Sequence, residues 1–273
     1  MKILVTGATG TTGRHIVKQL LQKGKQIRAL SRNPEKAHLP KEVELVKGDL
    51  NTPESMQNVF QDIEAVFLIT SSMDSSTPLQ TNPKIIEMAE KSGVKHVTVL
   101  VGYEGPVEET LKNSTMKWTL LKPVEVMANI LLDWKESIKS EGIVRDCFGD
   151  VLSARVHEED IAAVAVASLI EENHHQKTYE LTGPEALSRI EAVATISKGI
   201  GRNIVFEEWT EEEARQNWRN QGFEDDDIEF FVLMGKNPPE IGYTVVPTVE
   251  QVTGRPAKTL AEWVSENKSQ FSK

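Results

Sequence analysis

The chain has 273 residues, 39% of them hydrophobic and 26% charged, with a net charge of -10 at pH 7. That length suffices for one large core, or for a main domain with a small annex, without covalent staples. The acidic balance argues against a nucleic-acid partner, because a phosphate-backbone binder needs a basic face to displace counterions.

A single cysteine, Cys147, excludes an internal disulfide, fits a reducing compartment and reads as a small packing residue. Met1-Lys2 passes straight into ILVT and then glycines, without the apolar stretch and cleavage site of a signal peptide. The longest apolar run, Ile161 to Ile170, is about half of what a bilayer span requires and predicts a buried helix. A cytoplasmic protein without membrane association is expected.

From residue 1 to about 120, short apolar runs alternate with longer helical patterns, the signature of a parallel sheet covered on both faces. The predicted strands are KILVT, QIRALS, VELVKG, AVFLIT, HVTVL and WTLLK. Between the first two lies HIVKQLLQKG, which sets Ile16, Val17, Leu20 and Leu21 on one helix face and ends in Gly24 as a C-terminal cap. The fold class is α/β: a doubly wound parallel sheet of Rossmann type with a smaller, mostly helical carboxyl-terminal part. Residues 1-123 are the predicted NAD(P)-binding core. Residues 124-273 are a mixed region that completes the sheet and caps the substrate cleft.

In that second part a helix is expected from about Val124, another begun by Asp160 as N-cap, a strand at KTYELTG and a helix from about Glu185. The last third offers NIVFEEW as a strand, the acidic WTEEEARQNWRNQ, then FEDDDIEFFVLMG and KTLAEWVSENKSQF. Glu211 to Glu213 read as a solvated helix start, favoured by the helix dipole. These runs are short, and they predict a helical cap without an independent core.

The opening GATGTTG carries the chemistry. A strand ending in Thr6, a glycine turn and an amphipathic helix make a dinucleotide site. Gly7 permits the tight turn, Gly10 lets the backbone approach a pyrophosphate, and Gly13 lets the helix pack on the strand. Thr9, Thr11 and Thr12 add hydroxyl and amide donors. At the end of the second strand an acid would bond the ribose 2'-hydroxyl of NAD, but this chain has Ser31-Arg32. A guanidinium forks onto a 2'-phosphate, so NADP(H) is preferred over NAD(H), with Lys36 helping. Asp49 and Leu50 are expected near the adenine, and Thr70 and Ser71 near the nicotinamide ribose.

GATGTTGRHIV, ALSRNPEKA, VKGDLNTPESM, VKHVTVL, WTLLKPVEVMANIL, VHEEDIAAVA, KTYELTGPEAL and TGRPAKTLAEW follow one another in an order that resembles the NmrA-like branch of the atypical short-chain dehydrogenases/reductases, the branch of triphenylmethane reductase and the type 2 NADPH quinone oxidoreductases. The likeness spans almost the whole chain. It implies a Rossmann domain, a smaller carboxyl-terminal part, a substrate cleft between them, and cofactor contacts at Gly7 to Thr12, Arg32 and the strand ends named above.

Two departures stand out, the first from ordinary short-chain dehydrogenases and the second from the relatives in the resembled branch, whose segment after the fifth strand is longer. None of the tyrosines, Tyr103, Tyr179 and Tyr243, is followed by lysine at the Tyr-x-x-x-Lys spacing, so the usual proton donor is absent and no catalytic residue is assigned. The segment from Gly102 to Met116 is close to the minimum for a crossover between parallel strands. Tyr103, Met127 and His157 are candidates to line the acceptor site; packing for Tyr103 and a place at the head of a helix for His157 are the alternatives.

The six histidines show no metal spacing and no metal is expected, and His174-His175 read as a solvated loop. There is no nucleophile turn for hydrolysis. Reducing a simple ketone makes a basic alkoxide, and a positioned acid is worth about 10² to 10⁴-fold there. A quinone or cationic dye takes hydride without that help. The expected activity is NADP(H)-dependent hydride transfer to a small, electron-poor, quinone-like acceptor. The alternative is a non-catalytic NADP(H)-binding redox sensor that acts through a protein partner.

Overall fold

The computed structural model describes residues 1-72, 79-102 and 105-272. Two compact units form, one from Met1–Pro123 with Glu158–Glu180, the other from Val124–His157 with Leu181–Lys273.

In chain order the first segment contributes β1 (Lys2–Val5), α1 (Gly13–Gln22), β2 (Gln26–Ser31), β3 (Glu44–Lys47), β4 (Ala65–Ile69), the short β5 (Ser71–Ser72) and β6 (Leu79–Gln80), α2 (Lys84–Lys91), β7 (His96–Leu100), α3 (Pro106–Lys112) and β8 (Lys117–Pro123). The second unit then begins with α4 (Asn129–Asp133), α5 (Lys135–Ser140), β9 (Ile143–Asp146) and β10 (Leu152–Ser153). The chain returns to the first unit for α6 (Glu158–Ile170) and β11 (Lys177–Leu181). It ends in the second with β12 (Leu187–Ser188), α7 (Arg189–Ile200), β13 (Val205–Glu208), α8 (Glu211–Asn220), α9 (Asp225–Lys236), α10 (Thr248–Thr253) and α11 (Leu260–Asn267).

The first unit is built on a seven-stranded sheet in the order β11-β8-β7-β4-β1-β2-β3. The pairs from β3 across to β8 are all parallel. Both faces are covered, as the continuous apolar runs of the strands require. Leu4, Val66, Val97 and Leu120 look toward Ile85, Ile86 and Ala89 of α2 and Val107 and Leu111 of α3. Their neighbours Ile3, Val5, Ala65 and Phe67 point the other way and are buried as well, on the face packed by α1 and α6. Thr98 on that face meets Ser168 of α6, hydroxyl to hydroxyl at 2.9 Å. The apolar run Ile161 to Ile170 falls within α6, where nearly every residue is buried, as a helix without a polar face demands. No helix among the described residues is long and apolar enough to cross a membrane.

Beneath the sheet's outer strands, buried Arg28 of β2 donates from Nη1 to the carbonyls of Val59 at 2.9 Å and Gln61 at 2.8 Å, while Nη2 pairs with Glu44 at 2.8 Å. One guanidinium thus satisfies a turn in which Asn58 and Asp62 both take positive φ.

Several boundaries differ from those the sequence suggests, each for a local reason. The helix expected from Val124 starts at Asn129 because Val124 and Met127 donate their backbone N–H groups to Leu181 and Val156 instead. The helix expected from Glu185 starts at Arg189, fixed by a capping box in which Glu191 N–H donates to Ser188 Oγ and Ser188 N–H to Glu191 Oε2. Asp160 is not the cap of α6. The helix begins two residues earlier, and Glu158, Glu159 and Asp160 form its first turn, where carboxylates offset the helix dipole. Glu211 to Glu213 do start α8, with Thr210 and Glu213 as a second capping box.

The second unit corrects the expectation of a cap without its own core. Met127, Ile130, Trp134, Ile138 and Val144 join Ala192, Val193, Ile196, Leu260, Trp263, Val264 and Phe271 in one buried cluster. Trp263 and Phe271 meet edge to face, with ring centroids 6.3 Å apart. Buried Arg155 pairs with Glu125 at 2.9 Å, and Trp134 Nε1 donates to Asp146 Oδ2. Cys147 is buried here, and burial, reinforced by Asp146, pushes its thiol up to about 12, as suits a packing residue.

His174 and His175 do not form a purely solvated loop. Trp118 N–H donates to His175 Nδ1, Thr119 Oγ1 donates to the His174 carbonyl, and His174 Nδ1 meets the Tyr179 hydroxyl at 2.8 Å. His96 contacts the same Thr119 hydroxyl at 3.2 Å, and burial, followed by His174, Lys117 and His175, holds its imidazole down to about 4. Folded His96 is therefore neutral where the unfolded residue, near 6.5, takes a proton. The unfolded chain binds more protons between pH 6.5 and 4, so stability falls with pH through that window, by up to about 3 kcal/mol. Urea unfolding of wild type and His96→Gln at pH 7.5 and 4.5 checks this: the variant should lose less stability on acidification.

Candidate dinucleotide site

Because strands β1 to β4, β7 and β8 run parallel, their carboxyl ends share one edge of the sheet. The predicted cofactor residues fall on that edge: Gly7 to Thr12 after β1, Arg32 after β2, Asp49 and Leu50 after β3, Thr70 and Ser71 after β4.

The turn after β1 is anchored from below. Buried Thr6 donates Oγ1 to the Phe67 carbonyl at 3.1 Å and accepts the Ile69 N–H at 3.0 Å, clamping the end of β1 to β4. Gly7 then takes φ +62°, a left-handed value that a side chain resists, with Ile69 directly over it. The Gly10 N–H donates to the Gly7 carbonyl at 2.9 Å and closes the turn. The helix start lies hard against the same carbonyl: a β-carbon on Gly13 would sit 2.0 Å from Gly7 O. Thr9, Gly10 and Thr11 are exposed, and no side chain among the described residues caps α1. Uncapped N–H groups and the positive end of a helix dipole together suit an anion such as a pyrophosphate, and Gly10 puts no side chain in its way.

Arg32 is the first residue beyond β2 and is exposed, as is Lys36 at the end of the 3-10 turn Pro34–Lys36. The end of β3 is tied to β2 by the Gly48 N–H on the Ser31 carbonyl at 3.1 Å. Asp49 turns inward on its own loop, accepting the Asn51 N–H at Oδ1 and donating its backbone N–H to Ser55 Oγ. The Leu50 side chain is buried in the core, so what it offers a ligand is backbone. Thr70 is a junction: Oγ1 donates to the Leu100 carbonyl and accepts the Gly102 N–H at 3.1 Å, fastening the ends of β4 and β7. Ser71 opens the short β5–β6 pair.

Of the residues expected to line the acceptor site, Tyr103 lies outside the described residues. Met127 and His157 are each 1% exposed; the first belongs to the core of the second unit, and the second meets Glu266 Oε2 through Nε2 at 3.2 Å. Sequence reasoning passed over Thr6, Ile69 and Gly102, whose parts depend on pairing between strands far apart in the chain.

A glycine turn, an uncapped helix start and a cationic second-strand end on one parallel sheet define a dinucleotide-binding Rossmann protein. Residues 7-105 match the family model described as NAD(P)H-binding. The chain is 32% identical to the (4-alkanoyl-5-oxo-2,5-dihydrofuran-3-yl)methyl phosphate reductase of Streptomyces griseus, over 99% of both chains. It is 30% identical to the NAD(P)H azoreductase of Xenophilus azovorans, over 98% of this chain and 99% of that one. Among solved structures, the NADPH-dependent quinone oxidoreductase of Escherichia coli complexed with NADPH superposes with a TM-score of 0.80 at 24% identity, over 97% of this chain and 99% of that one. The protein belongs to the NmrA-like, NAD(P)H-binding branch of the atypical short-chain dehydrogenases/reductases, a family of NAD(P)H-dependent oxidoreductases.

Two glycine substitutions separate folding from binding. Gly13→Ala should lower both the melting temperature and NADPH affinity, because its methyl group collides with backbone. Gly10→Val, at an exposed position where a β-carbon meets only the Gly7 carbonyl at 3.2 Å, should melt near wild type and lose NADPH binding. Differential scanning calorimetry paired with titration calorimetry reads both; equal loss of stability in the two variants contradicts the assignment.

Proposed function

We propose that this protein is an NADP(H)-dependent reductase of small, electron-poor acceptors, quinone-like or azo compounds among them. Arg32, standing where an NAD-selective site has an acid, carries the cofactor half of that reading. The full-length likeness to reductases of an azo compound and of a furanone phosphate supports the acceptor half.

The residues at the sheet edge fit the dinucleotide. The turn from Gly7 to Thr12 cradles the pyrophosphate with its amides; Gly10, exposed, leaves the approach open, and Gly13, whose β-carbon would strike the Gly7 carbonyl, lets the helix start pack under it. Arg32 forks onto the 2'-phosphate, and Lys36 adds a second cation. Asp49 and Leu50 border the adenine, and Thr70 and Ser71 the nicotinamide ribose. Bound NADPH supplies the hydride. The chain's part is to fix the cofactor so that one face of the ring meets the acceptor, which is most of the catalysis an acceptor of low electron density needs.

Losing charge-assisted bonds worth about 1.5 to 3 kcal/mol should weaken NADPH binding roughly ten- to a hundredfold in Arg32→Ala, with NADH binding almost unchanged. Titration calorimetry with both cofactors measures this, and equal wild-type affinity for NADH and NADPH overturns the preference. Stopped-flow oxidation of NADPH under anaerobic conditions, against quinones, azo dyes and simple ketones, tests turnover. Acceptor-dependent oxidation with the first two is expected. No oxidation by protein that binds NADPH would make it a sensor instead.

A further inference from the structure

The second unit carries a cavity of about 290 Å³ lined by Ile200, Arg202, Lys268, Phe271 and Ser272, none of them among the residues of the dinucleotide edge. It opens where α7 ends, against the 3-10 turn Lys268–Phe271 that follows α11. Its walls are firm. Phe271 is 2% exposed and meets Trp263 edge to face, and Ile200 packs against the same core. Gly201 takes φ +73° and turns the chain back, so that the Arg202 N–H donates to the Ser197 carbonyl at 3.2 Å while Ser197 Oγ donates to the Arg202 carbonyl at 2.8 Å.

Two cations border this space, and the fold accounts for only part of what they offer. Arg202 Nη1 and Nη2 each donate to the Lys139 carbonyl at 3.3 Å, in the last turn of α5, as a cation at a helix end does. A guanidinium has five N–H donors, and that carbonyl takes two of them. Among the described residues the other three have no acceptor, and neither has Lys268 Nζ. Elsewhere this acidic chain sets its arginines against carboxylates: Arg28 on Glu44, Arg145 on Glu141 and Glu207, Arg189 on Asp146, Arg215 on Glu211 and Glu229. None of the five lining residues here is acidic. Two like charges beside one cavity with an apolar floor repel each other, and an anion between them replaces that repulsion with two attractions.

We infer that the cavity is a binding site for a small organic acid, with the carboxylate between Arg202 and Lys268 and the apolar body on Ile200 and Phe271. The planar guanidinium receives the carboxylate oxygens, and Lys268 Nζ and the Ser272 hydroxyl add donors. Both halves of the ligand count. An apolar floor with a few polar groups converging on it is the character of a site for a compact organic molecule, not for a bare ion. The inference uses neither the cofactor nor the acceptor, and so does not rest on the reductase reading.

Titration with benzoate, followed through the amide NMR shifts of the whole chain at constant ionic strength, tests this. Benzyl alcohol keeps the ring without the charge, and inorganic phosphate keeps charge without the ring. Saturable shifts at residues 199-203 and 268-272 are expected with benzoate, and binding of the other two probes at least about tenfold weaker. Lys268→Gln should lose about tenfold in benzoate affinity, the worth of one charge-assisted bond, and melt as wild type does, since Lys268 is exposed. Benzoate should raise the melting temperature of wild type more than that of the variant, as a ligand of the native state does. Shifts that do not saturate, phosphate or benzyl alcohol binding as tightly as benzoate, or unchanged affinity in Lys268→Gln each overturn the site. None of these readouts involves turnover, so the reductase reading stands or falls separately.

Discussion

The carbonyl of Gly7 occupies the space that a β-carbon on residue 13 would need, and the cofactor half of the molecule depends on that contact. It fixes the angle at which α1 leaves β1, so that the helix can pack Ile16, Val17 and Leu20 into the core while its first amides face the sheet edge. The contact works only because Thr6 holds the end of β1 against β4 from below, in two hydrogen bonds made by one hydroxyl. Strand, turn and helix are thus referenced to a single point, and each of the other strand ends is located relative to it through the parallel ladder.

The edge is held together by hydrogen bonds between strand ends more than by side-chain packing. Gly48 is fastened to Ser31, Asn82 to Leu50, Thr81 to Thr70 and Gly102 to Thr70. Such bonds leave side chains and some backbone groups facing outward, as a surface that receives a long, polar ligand requires. The same economy appears at Arg28, where one buried cation serves a whole turn.

What could be read from the sequence followed from local periodicity. The strands from Lys2 to Pro123 are short apolar runs and the glycine spacing marks the turn, so the strands and α1 were legible; the connections from β2 to β3 and from β3 to β4 hold only the 3-10 turns Pro34–Lys36 and Pro53–Met56 where longer helices were expected. The second unit was not, because its core is assembled from Met127 to Val144 and from Ala192 to Phe271, segments that each look too short to bury anything alone. Helix starts were misplaced where backbone donors were taken by distant partners, as at Val124 and Met127, or where a box such as Ser188 with Glu191 outweighed apolar spacing. Burial of a polar group such as Arg28 is a property of three dimensions, and no spacing encodes it.

The alternation of the two units along the chain has a consequence for how the protein forms. The polypeptide passes from the first unit to the second after Pro123, returns at Glu158, and leaves again after Glu180. Strand β11, the outermost on its side, is therefore synthesised only after the opening part of the second unit. Until it arrives, β8 is an open edge with unpaired backbone groups, able to template association with other chains. Contacts of such long sequence separation also slow folding, since the loop must close before they reward it. Neither unit can be released by a single cut. During synthesis the sheet is complete only when most of the chain has left the ribosome, and the interval before that is when the protein is most open to misassembly.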